Sequence, residues 1–132
     1  MAEAGYSGTP LWKKLSFKPG LKVCALHAPP QYGQLIDGPN DWIMVNAAKD
    51  ADAIHLFIAE PQELKAIAAL SAYLPPATML WVSWPKKTSP LSKGLSEDDI
   101  RATALACGLV DIKVCAVDAD WSGLKLTRRR AG

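Results

Sequence analysis

The stretch that decides the fold runs Thr78-Met79-Leu80-Trp81-Val82-Ser83-Trp84-Pro85-Lys86-Lys87. Its first seven residues are mostly β-branched, aromatic or apolar and hardly alternate, which is typical of a strand covered on both faces. Pro85 cannot donate a ladder hydrogen bond and keeps Trp84 extended, so the strand is expected to stop there. Lys86 and Lys87 then lie just beyond the carboxyl end of a central strand, where α/β sheets usually bind ligands.

Length and composition indicate one globular domain over residues 1–132. A chain of 132 residues can bury about two thirds of its unfolded surface, which is enough for a core without staples. The net charge of +2 is too small to require nucleic acid or an anionic membrane as partner. No run approaches the roughly 20 apolar residues that cross a bilayer. We therefore expect a cytoplasmic protein with no membrane partner.

The cysteines and histidines predict neither disulfides nor a metal site. Cys24, Cys107 and Cys115 fit no zinc spacing and no even disulfide framework. They are interpreted as buried thiols in a reducing cytosol. The two histidines, His27 and His55, are accompanied by no cluster of cysteines or carboxylates that could complete a metal site.

Apolar runs separated by proline and glycine signals predict six strands and four helices. A flexible arm is expected at residues 1–8 and a solvated tail at residues 128–132. The predicted strands span residues 21–27, 42–45, 53–58, 78–84, 109–117 and 124–129. The predicted helices follow Thr9-Pro10, occupy at most two turns of 31–37, begin at Pro61, and run from the cap Ser96 to Gly108.

This order of elements predicts a three-layer Rossmann-like α/β sandwich with a mostly parallel sheet. The short connection at residues 118–123 makes the last two strands an antiparallel C-terminal hairpin. The predicted strand order is 2-1-3-4-6-5. It requires the link from Asn46 to Asp52 to pass the first strand without a helix, which an extended segment reaching ~23 Å can do. The winding direction changes between the first and third strands, so their carboxyl ends form a crevice.

The predicted crevice collects residues that could bind a ligand. The two lysine ammonium groups, aided by the nearby hydroxyls of Ser83, Thr88 and Ser89, suit a phosphate or carboxylate. A histidine at the end of the first strand could act as a base or a neutral donor. The alternatives are a solvated lysine loop and a histidine that bonds a nearby carbonyl. The candidate ligand-binding residues are His27, Glu60, Trp84, Lys86 and Lys87.

Other polar residues favour structural roles, so no catalytic residue is assigned. His55 lies within an apolar strand and is expected to be a satisfied core histidine. Asp118 and Asp120 are interpreted as turn residues rather than an acid-base pair. The basic run 128–130 is interpreted as solvated, because no aromatic stacking platform accompanies it.

Several motifs together carry a family resemblance. They are the opening segment from Gly5 to Leu15 (Gly-Tyr-Ser-Gly-Thr-Pro-Leu-Trp-Lys-Lys-Leu), the Ile54-His55-Leu56-Phe57 strand, Leu80-Trp81-Val82-Ser83-Trp84-Pro85-Lys86-Lys87, and the segment from Gly108 to Lys125. They resemble a family of small bacterial proteins designated only as a domain of unknown function. The resemblance covers nearly the whole chain and implies no activity.

The order of elements also resembles a shortened class I methyltransferase, whose sheet likewise ends in an antiparallel hairpin. That resemblance implies a glycine-rich turn after the first strand and an acidic residue closing the second, which together hold S-adenosylmethionine. Here the corresponding positions are His27-Ala28-Pro29-Pro30 and Asn46. Neither half of the cofactor site has its usual form, and the cofactor, if any, is left open.

Three functions follow as hypotheses. The first is a non-catalytic module that binds an anionic metabolite or a protein partner. Five tryptophans leave room for a self-association surface in a homo-oligomer. The second is a methyltransferase-like enzyme that uses S-adenosylmethionine in an altered pocket. The third, a nucleic-acid-binding accessory protein, would need a steep salt dependence that a charge of +2 does not favour.

Overall fold

The computed structural model describes residues 10–36, 41–72, 74 and 77–128. The strands are β1 (Lys22–Leu26), β2 (Ile43–Met44), β3 (Ala53–Phe57), β4 (Met79–Pro85), β5 (Leu109–Ala116) and β6 (Trp121–Arg128). The helices are α1 (Leu11–Lys14), α2 (Tyr32–Ile36), α3 (Lys65–Ser71) and α4 (Glu97–Ala106), with 3₁₀ turns at Ala48–Asp50 and Pro61–Leu64. The predicted arm at 1–8, the Thr9 cap and residues 129–132 of the predicted tail lie outside the described residues.

The six strands form one sheet in the order β2-β1-β3-β4-β6-β5, which confirms the predicted order. Strands β1 to β4 pair in parallel, and β6 lies antiparallel between β4 and β5. The link between β2 and β3, which the predicted order required to pass the first strand without a helix, contains only the 3₁₀ turn at Ala48–Asp50. Because β4 is flanked by β3 and β6, the carboxyl end of the deciding stretch lies at the centre of the sheet.

Two apolar layers cover the sheet, one on each face. Leu11 and Leu15 of the first helical segment and Tyr32 and Ile36 of α2 pack on one face. Residues of α3 and α4, among them Ile67 and Ile100, pack on the other. Every residue of β3 is buried, as are all residues of β4 after Met79. The nearly unbroken apolar runs at 53–58 and 78–84 therefore reflect strands covered on both faces.

Strand β6 begins earlier than predicted, at Trp121 rather than Leu124. The turn is shorter because Asp118 Oδ1 accepts hydrogen bonds from the backbone N–H groups of Asp120 and Trp121, both at 2.8 Å. This confirms the turn role of Asp118. Glycine suits position 123 of the strand because any larger residue would be crowded there: a Cβ would lie only 3.3 Å from Ser83 Oγ.

Arg128, which the sequence placed both in the last strand and in the solvated tail, is the half-buried last residue of β6. Its guanidinium donates to Leu74 O at 2.8 Å and also to Ser71 O. Ser71 is the last residue of α3 and Leu74 lies just beyond it, where the end of a helix leaves carbonyl acceptors unpaired. Arg128 thus joins the end of β6 to the end of α3, whereas Arg129 and Arg130 lie outside the described residues.

The cysteines of the structure are unpaired thiols, with Cys24 buried and Cys107 and Cys115 half-buried. Burial raises the pKa of the Cys24 thiol. Cys107 lies at the end of α4, just before Gly108. Gly108 has a positive φ of 83°, as expected for a glycine that ends a helix. Among the described residues, no helix combines the length and apolarity that crossing a membrane would need.

Candidate functional site

A cavity of about 540 Å³ opens at the carboxyl end of β4. Its volume falls in the range of small-molecule pockets. The deciding stretch supplies one wall, the loop before α4 and the first turn of α4 supply the other, and β6 contributes one hydroxyl. The lining residues are Trp84, Lys86, Lys87, Ser92, Gly94, Leu95, Ser96, Glu97, Asp98 and Ser122.

The segment that carries the lysines is fastened to the turn between β5 and β6. Lys86 N donates to Asp120 O at 2.7 Å, and Ser89 Oγ donates to Asp120 Oδ1 at 3.0 Å. Leu91 N in turn donates to Ser89 Oγ at 3.0 Å. Ser89 is buried and used by the loop, so it is not the ligand hydroxyl that the sequence suggested. Asp120 holds the loop in place.

The lysine side of the cavity carries uncompensated positive charge. Lys86 is half-buried and Lys87 is exposed. Within the part of the chain that the structure describes, neither side chain forms an ion pair. An ammonium group that is partly removed from water and has no carboxylate partner favours binding of an anion. This wall is therefore the electrostatically favourable side for a phosphate or carboxylate.

The opposite wall is the start of α4, which is already capped. Ser96 Oγ accepts from Asp99 N at 3.2 Å, and Asp99 Oδ2 accepts from Ser96 N at 3.1 Å. This reciprocal pair confirms Ser96 as the predicted N-cap. Asp98 projects into solvent with 96% of its side chain exposed. The wall is thus acidic, and the cap already uses the Asp99 N–H group.

The structure brings three of the five candidate ligand-binding residues, Trp84, Lys86 and Lys87, to this cavity, and the other two do not line it. His27 is exposed, with a positive φ of 58° where the chain leaves β1. Glu60 precedes the 3₁₀ turn at Pro61–Leu64, and its backbone N–H donates to Glu63 Oε1 at 2.9 Å. Neighbouring strands thus end at one edge of the sheet without their side chains converging.

A buried hydrogen-bonded chain in the apolar layer on the α2 face of the sheet was not predicted as a unit. His55 Nε2 lies 2.7 Å from Ser83 Oγ, and His55 Nδ1 lies 3.0 Å from Tyr32 Oη. The imidazole also stacks on Phe57, with ring centroids 4.3 Å apart. His55 is therefore the satisfied core histidine that its apolar strand indicated. The signal for the pair was present, since His55 and Ser83 are polar residues in two apolar strands predicted to be neighbours.

The hydrogen-bonded side chains of Ser83 and His55 resemble the hydroxyl–imidazole pairs of nucleophilic enzymes, but their burial gives them a structural role. Ser83 and His55 have no exposed surface. Burial lowers the pKa of His55 to about 3, so the imidazole is neutral at pH 7. Burial also raises the pKa of Tyr32, which keeps its hydroxyl protonated. A neutral imidazole with one donor and one acceptor nitrogen satisfies both hydroxyls.

No protein-family model and no curated protein matches this chain, whereas solved methyltransferase structures do. A Sulfolobus solfataricus protein assigned as a type 11 methyltransferase has a TM-score of 0.57 and 15% identity, covering 90% of this chain and 89% of that one. Magnesium protoporphyrin IX methyltransferase from Synechocystis PCC 6803, solved with bound SAH, has a TM-score of 0.55 and 14% identity, covering 83% of this chain and 75% of that one.

An O-methyltransferase family 2 protein from Planctomyces limnophilus has a TM-score of 0.59 and 10% identity, covering 83% of this chain and 50% of that one. Identities this low establish the fold alone. The protein therefore has a Rossmann-like fold similar to that of class I methyltransferases, as the order of its elements predicted.

Proposed function

We propose that the protein is a binding module that holds a small anionic metabolite in the cavity at the carboxyl end of β4. The observation that carries the proposal is the position of Lys86 and Lys87, which line this cavity without an ion pair to any described residue. The proposal assigns no reaction, because the one hydroxyl–imidazole pair described above is sealed in the core.

Neighbouring groups in the cavity support the same proposal. Ser92, Ser96 and Ser122 line the cavity with the lysines. A serine hydroxyl can donate a hydrogen bond to an anion, and Ser96 keeps this donor while its Oγ accepts from Asp99 N. Trp84 is buried apart from 5% of its surface and forms part of the apolar floor. An apolar floor with a few converging polar groups is typical of small-molecule sites.

Replacement of both lysines by alanine is expected to weaken binding of inorganic phosphate at least tenfold. Two charge-assisted contacts are lost, each of which contributes about 1.5–3 kcal/mol when formed. The measurement is a phosphate titration followed by ¹⁵N–¹H NMR, with the Trp84 indole and Ser96 amide signals as reporters.

The matched control for that titration is Lys18→Ala combined with Lys49→Ala. This variant removes the same charge at two exposed lysines that do not line the cavity. Equal phosphate affinity in both double variants would show that net charge, rather than this cavity, attracts the anion, and would contradict the proposal.

The comparisons favour a second candidate function, methyl transfer from S-adenosylmethionine. Residues 27–30 do not fit the usual cofactor turn, because every position carries a Cβ and two of them, Pro29 and Pro30, lack an N–H group. Asn46 stands where the acidic ribose-binding residue is usual, and it is exposed. S-adenosylmethionine would therefore need a different binding position in this protein, and no reaction step is derived for it.

Isothermal titration with S-adenosylhomocysteine tests this second candidate. The misfit at residues 27–30 leads us to expect no heat of binding at millimolar concentration. Saturable binding that survives Asn46→Ala and the double lysine substitution would place a nucleoside site elsewhere at the sheet end. That result would favour the enzyme over the binding module.

A further inference from the structure

The charges of the cavity at the carboxyl end of β4 specify more than an anion. Lys86 and Lys87 stand on one wall, and Glu97 and Asp98 stand on the other. A ligand that spans the cavity meets positive charge at one end and negative charge at the other. The charge of the ligand should therefore match the charged side chains on each wall that neighbouring residues do not neutralise.

Arg101 neutralises only part of the acidic wall. Its guanidinium lies 2.6 Å from Glu97 Oε2 and 3.1 Å from Asp111 Oδ2. These two contacts raise the pKa of Arg101, as expected for a shared cation. The distance to Asp98 Oδ1 is longer, 3.7 Å. The Arg101 guanidinium thus pairs with three carboxylates, and its contact with Asp98 is the longest of the three.

We infer that the ligand carries two negative charges and one ammonium group. The negative groups would face the two lysines, and the ammonium group would face Asp98, whose side chain is 96% exposed. Acidic amino acids and phosphorylated amines share this chemistry. The inference rests on the proposed function, because it assigns the charge of the ligand in the same cavity.

The competing explanation is that Asp98 serves only its helix. Acidic residues in the first turn interact favourably with the positive end of the helix dipole, and α4 has three of them, Glu97, Asp98 and Asp99. That role predicts a small effect of Asp98 on stability and none on the choice between ligands. The two explanations therefore differ in a binding measurement.

The test compares pairs of probes that differ mainly in an ammonium group. L-Glutamate is compared with glutarate, and phosphoethanolamine with ethyl phosphate, each titrated into the full chain at pH 7 and followed by NMR. We expect the ammonium-bearing member of at least one pair to bind about two- to fivefold more tightly, the range of an exposed ion pair. The pair that shows the preference identifies whether carboxylates or a phosphate supply the negative charge.

Asp98→Asn is expected to abolish the preference, because the ammonium-bearing probe loses its carboxylate partner while the probe without the ammonium group is freed from repulsion by that carboxylate. The control is Asp50→Asn, the same change at an exposed residue outside the cavity, which should retain the preference. Equal binding of both members of each pair to the unaltered protein, lost when Lys86 and Lys87 are replaced, would overturn this inference and leave the proposed function standing. Absence of binding by all four probes, with phosphate binding that still depends on Lys86 and Lys87, would overturn this inference alone, and absence of phosphate binding as well would overturn both.

Discussion

Replacement of His55 by leucine is expected to lower the free energy of unfolding at pH 7 by about 3 kcal/mol. The imidazole is the hydrogen-bond partner of the buried Tyr32 and Ser83 hydroxyls, at 3.0 and 2.7 Å. Leucine leaves both hydroxyls without it, and each unsatisfied buried group costs about 1–3 kcal/mol. Equilibrium unfolding in urea measures the change as a shift of the midpoint.

The matched control for His55→Leu is His27→Asn. His27 is the other histidine of the chain and is exposed with a positive φ of 58°, a conformation that asparagine adopts more readily than most residues. Its stability should change by less than about 0.5 kcal/mol. A His55→Leu protein as stable as this control would show that the buried chain contributes nothing to the fold.

The His55 variant should also lose part of the acid sensitivity of the protein. Burial lowers the pKa of His55 to about 3 in the folded protein, whereas an imidazole in the unfolded chain titrates near about 6.5. Between these values the unfolded chain binds more protons, so stability falls as the pH falls. The slope is about 1.4 kcal/mol per pH unit for one proton. The difference of about 3 kcal/mol between the two proteins should therefore vanish near about pH 4.5.

Replacement of Trp81 by alanine is expected to lower the free energy of unfolding by about 3–5 kcal/mol, the usual range for a buried aromatic residue. Trp81 has no exposed surface and lies in the apolar layer beneath α1. Its Nε1 donates to Leu15 O at 3.2 Å, at the end of α1. Because a domain of this size is stable by only about 5–15 kcal/mol, the variant should be only marginally folded.

Trp81→Phe separates packing from the hydrogen bond. Phenylalanine keeps an aromatic ring beneath α1 but removes the donor to Leu15 O, so a smaller loss of about 1–3 kcal/mol is expected. Urea unfolding measures both variants, and hydrogen exchange at the Leu15 amide reports whether α1 detaches first. Equal losses for the two variants would show that the hydrogen bond, rather than the packed ring, holds α1.

The sheet could be predicted because it is specified by apolar runs and by short connections, and each of these signals lies within a few consecutive residues. The apolar runs at 53–58 and 78–84 identified strands buried on two faces, and these are β3 and β4. The short turn before Trp121 required an antiparallel hairpin. Boundaries were less accurate where a side chain replaces a backbone turn, as Asp118 does before β6.

The candidate site was predicted in part, for a physical reason. Lys86 and Lys87 follow a central strand directly, so their place at the sheet end could be predicted from that one strand. His27 and Glu60 leave other strands through turns of their own, and the direction of each turn depends on local hydrogen bonds such as Glu60 N to Glu63 Oε1. Position at the end of a strand does not set the direction of a side chain.

The sequence by itself determined the fold class, the strand order and the place of the two lysines, because hydrophobic periodicity and short connections act within a few residues. Only the tertiary structure decided which polar groups meet. Tyr32, His55 and Ser83 come from three separate elements, and Asp98 lines the same cavity as the lysines although α4 begins 12 residues after β4 ends. Contacts between distant segments depend on how whole layers pack, and that packing is set by the summed burial of many side chains rather than by any one stretch.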